Sequence, residues 1–199
     1  DANDDSGTLR YVRVQYAGFA FSGNNELNGI AFQGVGDATD VEFIHVHNNQ
    51  DDGVEFFGGT VNVKHVAVSG VGDDSFDWTD GWTGSAQFIV LAQGPGLTSD
   101  PRVIEGDGLD GDNDASPRSN PTLANFTILA DTASSDPEDG IKIRRGTNGT
   151  FVNGIVSGNG FGDGIDNDAG GTGPLPSFSS TYVAGYDELV DDAGNPSLF

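Results

Sequence analysis

The sequence predicts an all-β fold, a single-stranded right-handed parallel β-helix, on three observations. A short marker of a polar residue, a small residue and an apolar residue recurs along the chain. A second segment, rich in β-branched residues, recurs between the markers. Gly, Asn and Asp punctuate both, and no stretch keeps a helical period.

The marker reads Asn28-Gly29-Ile30-Ala31, Asp52-Gly53-Val54-Glu55, Asp74-Ser75-Phe76-Asp77, Asp107-Gly108-Leu109-Asp110, Asp139-Gly140-Ile141-Lys142 and Asp163-Gly164-Ile165-Asp166. Its spacings are 24, 22, 33, 32 and 24 residues, the long ones holding the insertions GPGLTSDPR and SPRSNP. The second segment is LRYVRVQYAG (9–18), VEFIHVHNN (41–49), VNVKHVAVSG (61–70), AQFIVLAQG (86–94), TLANFTILA (122–130) and TFVNGIVSG (150–158). Each alternates, shifts register once and alternates again. In VNVKHVAVSG, Lys64 and His65 make the corner and Val66 and Val68 return inward. Three short strands per coil, stacked ~4.8 Å apart, would bury a continuous column of Val, Ile, Leu and Phe. The chain reads as one domain over 1–199, with coils over about 8–169 and an irregular cap or tail over 170–199.

Composition narrows the function. Thirty-one acids against eight Lys and Arg leave a formal net charge of −23. A chain so acidic does not hold nucleic acid, whose affinity comes from bases neutralising phosphates. There is no Cys, so thiol nucleophiles, disulfides and Cys-held metals are excluded. No apolar run is long enough to be a transmembrane segment. The absence of Met is expected of a mature or trimmed product.

The run from LRYVRVQYAG through NNQDDGVEFFGGTVNVKHVAVSG to DDSFDW resembles a widespread group of secreted bacterial β-helix proteins, often lipoproteins or carrying export-sorting tails. The resemblance covers roughly residues 4–130. It implies a pectate-lyase-like β-helix at the cell surface or outside the cell, and implies no reaction. Members usually carry further coils before the segment that matches DANDDSG, so the chain is expected to be part of a longer β-helix. The NNQDDG and KIRRG runs are weakly similar to polygalacturonases, but no Gly-His-Gly follows them.

Five groups of residues are candidates for chemistry. The acids Asp51, Asp52, Glu55, Asp73, Asp74 and Asp77 stack on adjacent coils, where like charges need protons, separation or a bridging cation such as calcium. With Trp78 and Trp82 as a stacking platform, they would hold an extracellular polysaccharide; Asp51, Glu55, Asp73 and the two tryptophans would be substrate-binding. If the protein is an enzyme, a glycoside hydrolase or polysaccharide lyase, Asp52, Asp74 and Asp77 would be catalytic, and Arg118, Arg144 and Arg145 are candidate bases. Asp107, Asp110, Asp112 and Asp114, echoed by Asp163, Asp166 and Asp168, read as calcium loops, although the closing Glu of an EF-hand is missing. His45 and His47 flank Val46 and so share a strand face, and the repeat alignment puts His65 at the phase of His45 one coil along; the three form a candidate copper or zinc site. The reading is a secreted, calcium-stabilised polysaccharide binder. The alternative from another class is a surface protein, adhesin or fibre subunit whose copies stack end to end.

Overall fold

The computed structural model describes residues 1–21, 27–94, 102–130, 139–158, 160 and 162–192. Each coil contributes one long and one short strand. They are β1 (Thr8–Gln15) and β2 (Ile30–Gln33); β3 (Asp40–His47) and β4 (Val54–Phe57); β5 (Asn62–Ser69) and β6 (Phe76–Thr79); β7 (Ser85–Ala92) and β8 (Ile104–Gly106); β9 (Thr122–Leu129) and β10 (Ile141–Arg144); β11 (Thr150–Ser157) and β12 (Ile165–Asp168); and β13 (Ser177–Ala184). The long strands make a seven-stranded sheet and the short ones a six-stranded sheet, both parallel throughout and ordered along the stack. The protein is therefore an all-β parallel β-helix. No helix occurs among the described residues, so none there is long and apolar enough to cross a membrane.

The third strand per coil that the sequence predicts is folded into the long strand. Each long strand bends at its fourth residue, which takes a left-handed φ: Tyr11, Phe43, His65, Phe88, Asn125, Asn153 and Ser180, all between +51° and +60°. A non-glycine residue there is disfavoured by about 1 kcal/mol or more. Contacts along the column offset that cost. Tyr11 stacks on Phe43 at 4.8 Å, Phe43 on His65 at 4.4 Å and His65 on Phe88 at 5.0 Å. Further along, Asn153 donates to Asn125 at 2.5 Å.

The repeat does not stop at residue 169. β13 pairs with β11 in register, and Glu188 and Asp191 bridge Asp163 and Asp166 in parallel, so a seventh coil lies inside the expected tail. The GPGLTSDPR insertion falls mostly outside the described residues.

The core lies between the sheets. Val41, Ile44 and Val46 on β3 are followed one coil on by Val63, Val66 and Val68. In the short sheet Phe56 is followed by Trp78 and then by Gly106. That glycine is a close-approach position: a Cβ there would overlap the Trp78 indole. Gly106→Ala is expected to cost about 1–3 kcal/mol, as overpacking does. Urea unfolding checks it, and an unchanged midpoint would show that the indole moves freely.

Candidate functional site

The turn before each short strand sets the site. The coil path places one residue of each turn over its counterpart in the next, in the order Asn28, Asp52, Asp74, Arg102, Asp139, Asp163. Main-chain bonds fix this, since Gly29 N–H donates to Asp52, Gly53 to Asp74, Ser75 to Arg102, Val103 to Asp139 and Gly140 to Asp163. Three residues further on, strand register gives a second column: Ala31, Glu55, Asp77, Glu105, Lys142, Asp166. The fourth unit is thus Arg102-Val103-Ile104-Glu105. The Asp107-Gly108-Leu109-Asp110 marker does not fill that place, which corrects the sequence alignment.

Part of the acid column closes turns. Asp52 Oδ1 accepts from Asp74 N–H at 3.0 Å, Asp74 Oδ1 from Arg102 N–H at 2.6 Å and Asp139 Oδ1 from Asp163 N–H at 2.9 Å. Each aspartate staples its coil to the next.

The remaining oxygens crowd together. Three overlapping groups bring carboxylate oxygens within 4.8 Å of one another: Asp51, Asp52 and Asp73; Asp52, Glu55 and Asp77; and Asp74, Asp77 and Glu105. Asp52, Glu55 and Asp74 are buried. Asp77 Oδ1 is shut off from solvent and has no hydrogen-bond partner. Burial, then the charges of Glu55, Asp51 and Asp73, pushes Asp52 well above the usual carboxylate range. Burial acts likewise on Asp74, aided by Glu105 and Asp52, and on Asp77, aided by Asp52 and Asp74. Burial also raises Glu55, against a bond from Asn28, and carries Glu105 to about 7 despite the opposing Arg144. Glu105 belongs to the cluster, and the sequence reading missed it.

Elsewhere in the columns, bases enter and pair the acids. Arg102 Nε lies 3.2 Å from Asp139. Arg144 reaches Glu105, and its Nε holds Asp107 at 2.9 Å. Lys142 sits between Asp166 and Asp168. Of the candidate arginines only Arg144 touches the acid cluster; Arg118 pairs with Asp114 at 2.7 Å and Arg145 with Asp107 at 2.6 Å.

This pairing breaks up the predicted calcium loop. Asp107 is 4 % exposed and locked to Arg144 and Arg145. Asp110 points to solvent near Arg145. Asp112 caps the N–H of Asp114, and Asp114 accepts from Thr172 and Arg118. These four carboxylates do not converge. Asp163 and Asp166 do come together, with Asp139, but Lys142 already pairs with Asp166, and Asp168 stays outside the group.

Trp78 and Trp82 are 0 % exposed, which corrects their assignment as a sugar platform. Trp78 Nε1 donates to Thr147 Oγ1 at 3.0 Å and Trp82 Nε1 to the Val61 carbonyl at 3.1 Å, so both polar ends are satisfied inside the protein.

The histidines are also rearranged. Register sets His45 beside Ala67, not His65. His65 is the corner residue between Phe43 and Phe88, with Nδ1 3.1 Å from Glu42. His45 and His47 remain together, both against Ser69 Oγ, at 3.3 and 2.9 Å. Among the described residues no group of three potential metal ligands includes a histidine.

The family model described as pectate-lyase like beta helix domain matches residues 1–185. No curated protein and no solved structure matches the chain.

Proposed function

The chain belongs to the pectate-lyase-like β-helix domain family, and on that premise we propose that it is a secreted, calcium-stabilised β-helix that binds extracellular polysaccharide. One observation carries this reading: three overlapping carboxylate groups share Asp52 and Asp77, and the buried Asp77 Oδ1 lacks a partner. Such a cluster needs protons or a cation. Its donors are all hard oxygens, which suit calcium. Asp52, Glu55, Asp74, Asp77 and Glu105 would hold the ion. Asp51 and Asp73, each half-buried and just ahead of the buried Asp52 and Asp74, would meet polymer oxygens at the rim.

A second reading is hydrolysis or elimination, favoured by Glu105, whose carboxyl at about 7 suits a general acid near neutrality. Against it, Asp52 and Asp74 are 8 % and 6 % exposed, and each spends an oxygen on the next coil. That placement suits holding a charge more than attacking a polymer.

The test is elemental mass spectrometry on protein purified without chelator, then retention on polysaccharide affinity gels. Calcium in at least stoichiometric amount is expected, with retention lost on chelation and restored by calcium. Protein free of divalent ions, with retention indifferent to chelator, would overturn the reading. New reducing ends or unsaturated products from the gel polymers would move the second reading ahead.

A further inference from the structure

We infer that Arg13, His45, His47 and Ser69, on the outward face of the seven-stranded sheet, form a binding site for an oxyanion carried by an acidic glycan. The inference rests on the polysaccharide reading only for the carrier of the anion; the site lies on the seven-stranded sheet, whereas Glu55, Asp77 and Glu105 lie on the six-stranded one.

Charge distribution is the first ground. The chain carries 31 acids, yet the outward face beyond the corner has none. The sixth-position column runs from Arg13 through His45 to Tyr182, and the eighth from Gln15 through His47 to Ala184, and neither contains Asp or Glu. Nothing on this strip repels an anion. Among the described residues Arg13 is also the exception among the arginines. Arg10, Arg102, Arg118, Arg144 and Arg145 each pair with a carboxylate. Arg13 instead faces His45 across β1 and β3.

Donor geometry is the second ground. His45 Nε2 and His47 Nδ1 converge on the one Ser69 hydroxyl. Burial, then the charges of Arg13 and His47, lower the pKa of His45 and so favour its neutral ring beside a permanent cation. A guanidinium fork, two imidazoles and a hydroxyl match the several acceptors of a carboxylate or sulfate. The same guanidinium opposes a metal cation at the histidine pair. Tyr16, 73 % exposed and edge-on to His47 at 5.8 Å, offers a ring for the sugar that carries the charge.

The chain has only three histidines, so their imidazole NMR signals report the site directly. Sodium sulfate is titrated against sodium chloride at an ionic strength of about 0.15 M, where screening of the distant acids extends over about 8 Å. His45 and His47 are expected to shift and His65, held at the corner by Glu42, to stay. Calorimetry then compares dextran sulfate, carboxymethyl-dextran and neutral dextran. Binding of the charged dextrans alone is expected, weakened roughly tenfold or more in Arg13→Gln with an unchanged melting temperature. No shift, or equal shifts at all three histidines, overturns the site. A response to free sulfate with no charged dextran bound overturns the glycan as carrier and leaves calcium retention by the acid cluster to be judged separately. Zinc shifting His45 and His47 without any response to sulfate overturns the inference in favour of a metal pair.

Discussion

Asp77→Asn is expected to raise the melting temperature of the chelated protein at pH 8 and to remove its response to calcium. The reason is the buried Asp77 Oδ1, which has no hydrogen-bond partner and faces Asp52, Asp74 and Glu55. A folded-state carboxyl pKa above its unfolded value means that the folded protein binds the proton more tightly. Between the two values the native state keeps a proton that the unfolded chain has released, so stability falls as pH rises through that window and stays low above it. For Glu105 the window runs from 4.5 to about 7, a cost to the folded state of about 3 kcal/mol at pH 8. Burial and the neighbouring acids move Asp52, Asp74 and Asp77 in the same direction.

Chelated wild-type protein should therefore melt roughly 5–10 °C lower at pH 8 than at pH 5. Calcium at about a hundred times its Kd should return about 2.7 kcal/mol at pH 8, and less at pH 5, where protons compete for the same oxygens. Replacing Asp77 with the isosteric amide removes one charge from the crowd and gains about 1–2 kcal/mol without metal. The same change deletes an oxygen donor shared by two of the three groups, so calcium should no longer help. Scanning calorimetry at both pH values, with chelator and with calcium, reads all four states. A chelated protein more stable at pH 8 than at pH 5, with Asp77→Asn destabilising throughout, would show that the acids are content as ions and would remove the cation argument.

The β-helix itself was legible because a period of 22–24 residues and an in-and-out alternation survive in most coils. The site was legible only where the marker kept its Asp. At the fourth coil Arg102 stands in the aspartate column, and its side chain answers Asp139 one coil on. The nearby Asp107-Gly108 drew the alignment five residues downstream and hid Glu105. The histidine error has a different cause. Val61 is fully buried but belongs to the turn, bonded to the Val35 carbonyl, and β5 begins after it. Counting the strand from Val61 slides the register by two. A slip of one residue would invert every side chain and betray itself; a slip of two keeps each face and leaves no trace in the hydrophobic pattern. Gly and Asp around Trp78 and Trp82 read as an exposed loop, whereas those small residues let the indoles fold inward, with Gly106 making room for Trp78.

Trp82→Ala is expected to cost about 3–5 kcal/mol and to lower the melting temperature by roughly 10 °C or more. The indole is 0 % exposed, stacks on Phe56 at 4.0 Å and 15°, and lies 6.0 Å from both Phe76 and Trp78. Its N–H satisfies the Val61 carbonyl in the preceding turn. Alanine removes the stack, opens a cavity that its neighbours only partly close, and leaves that carbonyl without its donor. In a stacked repeat each coil leans mainly on its neighbours, so a hole here weakens the contact on which the acid column is aligned. Trp82→Phe keeps most of the ring and loses the hydrogen bond, so a smaller loss of about 1–2 kcal/mol is expected. Urea unfolding of the three proteins, alongside polysaccharide retention at a temperature where all are folded, separates a core role from a surface one. Loss of stability with retention intact in Trp82→Phe fits an indole that holds coils together. Unchanged stability in Trp82→Ala with retention abolished would place the indole at the surface after all and overturn the packing on which the cluster depends.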